Sequence, residues 1–94
     1  MGERVSLVTG AARGIGRGIA IALAQRGWSI VVNYRGNADA ANDALRRVEQ
    51  SGARGVIVQA DISVTQDRER LVAQTLEHFG RVDLLVNNAG MAPR

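Results

Sequence analysis

VSLVTGAARGIGRGIAIALAQRGWSIVVN, residues 5–33, changes its period twice. Residues 5–9 form a short, nearly continuous apolar run of β type. Three glycines follow, at 10, 14 and 16, and then apolar residues recur at 15, 19, 22 and 23, which predicts a helix over 14–26 with Gly27 as its stop. A second apolar run, 28–33, comes straight after. A strand, a glycine-rich turn, a helix and a strand with both strands apolar throughout is the pattern of parallel strands whose two faces are covered by helices.

The rest of the chain repeats the alternation. Asn37 is placed to cap a helix running to about Gln50, with Ala41, Ala44, Leu45 and Val48 on its inner face and Gly52 beyond its end. Residues 55–60 read as a third strand. Ser63 to Gln66 fits a capping box, and the helix after it is expected to bury Leu71, Val72, Thr75, Leu76 and Phe79 before Gly80 ends it. Residues 82–86 read as a fourth strand. Right-handed crossovers leave few ways to assemble this β-α-β-α-β-α-β series. The expected fold class is α/β, a Rossmann-type doubly wound parallel sheet, partial, with four strands in the order 3-2-1-4 and three helices.

Composition removes several function classes. At 46% hydrophobic and 22% charged, the 94 residues suit a single globular domain rather than a disordered chain. No cysteine is present, so disulfides, thiolate metal sites and cysteine nucleophiles are excluded, and no metal site is expected. No apolar stretch approaches the roughly 20 residues that span a bilayer, and the first residues carry no signal-peptide pattern. The expectation is a cytoplasmic protein with no membrane association. The formal charge is +3, and every basic residue is arginine. These arginines are scattered among acids without aromatic residues for base stacking, which argues against nucleic acid.

Ligands of doubly wound sheets bind beyond the carboxyl ends of the strands, at the switch in strand order. The segment after strand 1, Thr9 to Gly18, is therefore the first candidate site. Glycine removes the Cβ that would keep a phosphate off the backbone, and the N–H groups that open the following helix attract an anion. The lysine that a P-loop requires is missing.

The stretch Thr9-Gly-Ala-Ala-Arg-Gly-Ile-Gly16 resembles the TGxxxGxG cofactor loop of the short-chain dehydrogenases/reductases. Asn87-Asn-Ala-Gly90 resembles that family's NNAG motif, and Asp61 matches its adenine-contacting aspartate. The text between the motifs loosely resembles 3-oxoacyl-(acyl carrier protein) reductases, as do many sugar and alcohol reductases of the family. The resemblance implies that Gly10, Gly14 and Gly16 line a pyrophosphate and that Ile15 offers its backbone N–H near the nicotinamide half. Thr9 would hold the loop, Asp61 and Ile62 would meet the adenine, and Asn87, Asn88, Ala89 and Gly90 would support the ribose side and the sheet.

Charge bears on cofactor choice. NAD users place an acid at the end of strand 2 to accept from the ribose hydroxyls. Here Tyr34 and Arg35 stand in that place, and no acid follows until Asp39. Arg35 and Arg13 both reach toward the same point, and guanidinium groups suit a 2′-phosphate. NADP(H) is expected over NAD(H).

In the family, hydride transfer uses a serine and a Tyr-x-x-x-Lys pair, all beyond the NNAG motif. This sequence has no lysine, and its one tyrosine, Tyr34, falls at the adenosine end. The expectation is a dinucleotide-binding half-domain over residues 1–94, with the catalytic half absent and the chain inactive alone. A small-molecule carbonyl or alcohol substrate then enters only with the missing half. The chain alone would be association-prone, and a full-length form a homo-oligomer. The alternative is a freestanding nucleotide-binding module with a regulatory or partner-binding role. A methyltransferase-like Rossmann domain fits the glycines but not the missing acid after strand 2 or the NNAG segment.

Overall fold

A computed structural model describes residues 3–88. Four parallel strands alternate with three helices: β1 Val5–Val8, α1 Gly14–Gln25, β2 Ser29–Tyr34, α2 Ala38–Gln50, β3 Gly55–Gln59, α3 Thr65–Phe79 and β4 Leu84–Val86. The sheet order is β3-β2-β1-β4. Val5 pairs with Ser29 and Val8 with Val32 on one side of β1, while Ser6 to Val8 pair with Leu84 to Val86 on the other. The chain reverses its direction of travel across the sheet between β1 and β4, so their carboxyl ends flank the switch point.

Alternation along the strands sends side chains to two cores. Val8, Ile30 and Val32 pack with Ala20 and Ala24 of α1 and with Ala44 and Val48 of α2. On the opposite face Val5, Leu7, Val31 and Val58 pack with Leu71 of α3. One face thus carries two helices and the other one, which leaves Leu85 of β4 59% exposed and Val72 and Leu76 of α3 46% exposed each.

The structure corrects the sequence reading in four places. Helix α1 does not bury its large apolar residues: Gly16, Ala20 and Ala24 face the sheet, Ile19 and Leu23 are half-buried, and Ile15 is 73% exposed. Small residues one turn apart let the helix axis approach the sheet closely, and that contact outweighs the burial of a larger but more distant side chain. In α3 only Leu71 and Thr75 are buried, whereas Val72 and Leu76 are exposed and Phe79 is half-buried. The capping box does not form. Val64, which has no polar side-chain atom, is the N-cap of α3 in place of Ser63, whose hydroxyl donates to Asp61 Oδ1 at 2.6 Å. Finally, β4 begins at Leu84 rather than residue 82. The Val5 N–H is taken by the Asp83 carboxylate at 2.8 Å, so a side chain substitutes for the strand backbone there.

Candidate functional site

The glycine loop after β1 is fixed by bonds that reach across the whole chain. The Thr9 N–H donates to the Val86 carbonyl at 3.0 Å, and Thr9 Oγ1 donates to the same oxygen at 3.2 Å and lies 3.4 Å from Asn87 Oδ1. The Gly10 peptide is held at both ends by asparagine side chains. Its N–H donates to Asn33 Oδ1 at 3.1 Å, and its carbonyl accepts from Asn88 Nδ2 at 3.1 Å. Gly10 and Gly14 both adopt φ of 61°, a left-handed backbone that costs a side-chain-bearing residue roughly 1–2 kcal/mol. Gly16 answers a different demand. A Cβ there would stand 2.3 Å from the Gly10 carbonyl oxygen and 2.6 Å from Asn88 Nδ2. The loop and the first turn of α1 touch with no room for a methyl group.

The opening turn of α1 is bare of competitors. Its N-cap, Arg13, makes no side-chain cap bond, and no acidic residue lies in the first turn. The early N–H groups and the positive end of the helix dipole therefore face solvent at the mouth of the loop.

Two concavities meet at Gly10 and Arg35. One, of about 400 Å³, is lined by Gly10, Asn33, Arg35, Ala60, Asp61, Ile62 and Ser63. The other, of about 450 Å³, has Gly10, Ala12, Arg13, Gly14, Tyr34, Arg35 and Asn37 around it. Arg13 and Arg35 thus share the second concavity, and no carboxylate of the described residues lines it. In the first, Asp61 stands opposite Arg35, with Arg35 Nε 3.7 Å from Asp61 Oδ2. The Ser63 hydroxyl and N–H both donate to Asp61 Oδ1, and together with the Arg35 charge they hold the Asp61 carboxyl below the ordinary aspartate range. Asp61 is therefore an anion at neutral pH with one oxygen turned toward Arg35. Its own N–H donates to Asp67 Oδ2 at 2.8 Å, which anchors the strand end to α3.

Of the residues singled out in the sequence, Thr9, Gly10, Arg13, Gly14, Ile15, Gly16, Tyr34, Arg35, Asp61, Ile62, Asn87 and Asn88 all lie at the carboxyl edge of the sheet. Ala89 and Gly90 lie outside the described residues. Asn33 and Ser63 were missed as site residues. Their signals were a lone amide closing an apolar run and a hydroxyl two residues after a strand-end acid. The remaining arginines are largely engaged elsewhere: Arg17, Arg46 and Arg47 converge on Asp43, Arg54 pairs with Glu3, and Arg4 lies over the Trp28 ring. Among the described residues no helix is long and apolar enough to cross a membrane.

Comparison with known proteins bears on the same edge of the sheet. The family model for short chain dehydrogenases matches residues 4–94. The chain is 45% identical over 87 residues to a hydroxynaphthalene reductase-like protein of Metarhizium guizhouense, covering 93% of this chain and 33% of that one. It superposes on a hydroxysteroid dehydrogenase from Escherichia coli with a TM-score of 0.85 at 37% identity, over 92% of this chain and 36% of the other. A dehydrogenase from Burkholderia cenocepacia, solved with bound NADP, gives a TM-score of 0.86 at 28% identity, over 92% of this chain and 34% of its own. The chain thus spans about a third of the length of the curated relatives it matches.

Proposed function

Because the chain belongs to the short-chain dehydrogenase family, we propose that it provides the dinucleotide-binding part of a nicotinamide-dependent oxidoreductase acting on a carbonyl or alcohol, with NADP(H) taken in preference to NAD(H). The loop fits the phosphates of such a cofactor. Gly14, where an added Cβ would meet nothing within 4 Å, leaves the mouth of the loop open, the tight contact of Gly16 with Gly10 holds the first turn of α1 against the loop, and the uncapped start of α1 offers N–H groups to an anion. When bound, the nicotinamide would give or accept the hydride. The chain's own part is to hold it: Gly10, Gly14, Ile15 and Gly16 at the pyrophosphate, Asp61 and Ile62 at the adenine, Thr9, Asn87 and Asn88 behind the loop and ribose. The residues that activate the substrate carbonyl are assigned to the part of the relatives' length beyond this chain.

The observation that carries the cofactor preference is the concavity shared by Arg13, Tyr34, Arg35 and Asn37, where among the described residues two guanidinium groups and no carboxylate line the wall. An acid there would accept from ribose hydroxyls and repel a 2′-phosphate, whereas this wall attracts one. Calorimetric titration of the chain with NADP⁺ and NAD⁺ tests the reading. NADP⁺ is expected to bind more tightly, and Arg35→Ala or Arg13→Ala to narrow the gap by roughly threefold to tenfold, the scale of a solvent-screened charge contact. Equal affinities, or a gap indifferent to both substitutions, would overturn it.

A further inference from the structure

The carboxamide of Asn33 sits beneath the candidate site and has no part in the reading above. It stands next to the end of β2, after the buried apolar residues Ile30, Val31 and Val32, and it is itself only 2% exposed. Burying a carboxamide is costly unless its bonds are made. Asn33 makes them to two segments, the glycine loop and the end of β3. Oδ1 accepts from the Gly10 N–H at 3.1 Å, while Nδ2 donates to the carbonyls of Val58 and Ala60 at 3.2 Å each. The network itself fixes which end of the amide is which, since an N–H needs an acceptor and two carbonyls need donors. Asn33 also lines the concavity shared with Gly10, Ala60 and Asp61.

We propose that Asn33 is the positioning residue of the glycine loop: its carboxamide sets the orientation of the Gly10 peptide and ties it to the strand end that carries Asp61, so that the phosphate and adenine halves of the dinucleotide site form as one unit. This rests on the dinucleotide reading. A hydrophobic side chain at the same place would serve the sheet but would leave the Gly10 N–H without the acceptor that turns it inward. Because that N–H is consumed by Asn33, the groups left for an anion are those at the start of α1, and the loop presents them at a fixed height above the sheet.

The structure contains its own control. The neighbouring Ala11 N–H donates to the Asn33 backbone carbonyl at 2.9 Å, a bond that no side-chain substitution removes. Amide hydrogen exchange is followed at Gly10, Ala11, Val31 and Val32 in the wild-type chain, Asn33→Ala and Asn33→Asp, alongside NADP⁺ titration. In Asn33→Ala, Gly10 is expected to lose protection while Ala11, Val31 and Val32 keep theirs, and NADP⁺ affinity to fall about tenfold or more, as expected for a buried group left without its partner. Unchanged Gly10 protection, or selective Gly10 loss with unchanged affinity, overturns the proposal.

Where Asn33→Ala fails to fold, Asn33→Asp decides. Burial beside two carbonyl oxygens would raise the carboxyl pKa of that variant. Its neutral acid accepts from Gly10 and donates to one carbonyl, whereas its carboxylate opposes both. Gly10 protection and NADP⁺ affinity, each relative to wild type at the same pH, are expected to recover as pH falls. Behaviour independent of pH overturns the proposal. A wild-type chain that takes up no dinucleotide defeats the underlying reading, and with it the binding half of the proposal; Gly10 exchange then still decides whether Asn33 sets the loop.

Discussion

Gly16 and Gly18 lie two residues apart in one helix, yet alanine at the two positions is expected to act with opposite sign. At Gly18 an added Cβ meets nothing within 4 Å. Only the intrinsic preference of a helix for alanine then operates, and Gly18→Ala is expected to stabilise by up to ~0.8–1.0 kcal/mol. At Gly16 the same methyl carbon would stand 2.3 Å from a backbone oxygen, Gly10 O, and 2.6 Å from Asn88 Nδ2. The backbone oxygen cannot swing aside as a side chain would. Overpacking of this kind costs about 1–3 kcal/mol, and losing the Asn88 bond to Gly10 adds about 0.5–1.5 kcal/mol. Set against the helix preference, Gly16→Ala is left destabilised by about 2 kcal/mol. For a domain of this length that lowers Tm by roughly 8–16 °C, while Gly18→Ala raises it by roughly 4–8 °C. Urea melts of the three chains, read by circular dichroism, measure both differences. A Gly16→Ala chain as stable as Gly18→Ala would show that the loop moves freely away from α1, and the rigid phosphate cradle would be lost as an argument.

Three further outcomes are expected. The 94-residue chain assayed with NADPH and a panel of 3-oxoacyl, sugar and quinone carbonyls should show no turnover, since proton transfer to a carbonyl needs a positioned acid; turnover matching that of a longer relative would refute this. Asp83 is held below its ordinary range by the Arg81 side chain and then by the Val5 N–H, so its contribution is complete above the unfolded aspartate pKa of about 3.9 and vanishes as pH falls through the lower folded value. The stability gap between wild type and Asp83→Ala should accordingly close in acid, and a gap constant down to pH 2 would contradict the pairing. At the uncovered edge of the sheet, Leu85→Lys should shift sedimentation of the isolated chain from self-associated species toward monomer; a wild-type chain that is already a compact monomer at high concentration would refute that expectation.

The strand order was legible because each helix announced itself twice, by its period and by the glycine that follows it, which set off the apolar runs between them as strands. Gly27, Gly52 and Gly80 follow α1, α2 and α3 where the sequence placed the stops. The buried face of α1 was not legible. Periodicity weighs large apolar residues such as Ile15 and Ile19, but a helix pressed closely on a sheet is selected for what is small. Ser63 misled for a local reason: its N–H and hydroxyl both donate to the Asp61 carboxylate two residues back, and α3 starts one residue later than the motif suggests. Asn33 read only as the end of an apolar strand because its partners, Gly10 and Ala60, lie 23 and 27 residues away. The glycine loop itself was readable, since its chemistry rests on backbone and on the absence of side chains, which a sequence states directly.

The candidate site depends on the least secure part of the sheet. Thr9 and Gly10 owe their placement to Val86, Asn87 and Asn88, contacts that span 77 or 78 residues of chain. Those residues close β4, a three-residue edge strand, and Leu84 and Leu85 within it are exposed. Contacts of such sequence separation form only after the intervening chain has been ordered, so they are the last to be rewarded in folding and the first to be lost in local opening. The other anchor, Asn33, sits in the centre of the sheet between β1 and β3, where burial protects it. The Gly10 peptide is therefore held at its N–H by a secure residue and at its carbonyl by an insecure one. Anything that covers the outer edge of β4 lowers the population in which Asn88 is released. Covering that edge and ordering the glycine loop are then one event, because the bonds of Thr9 to Val86 and Asn87 and the bond of Asn88 to Gly10 all run from the end of β4 to the loop.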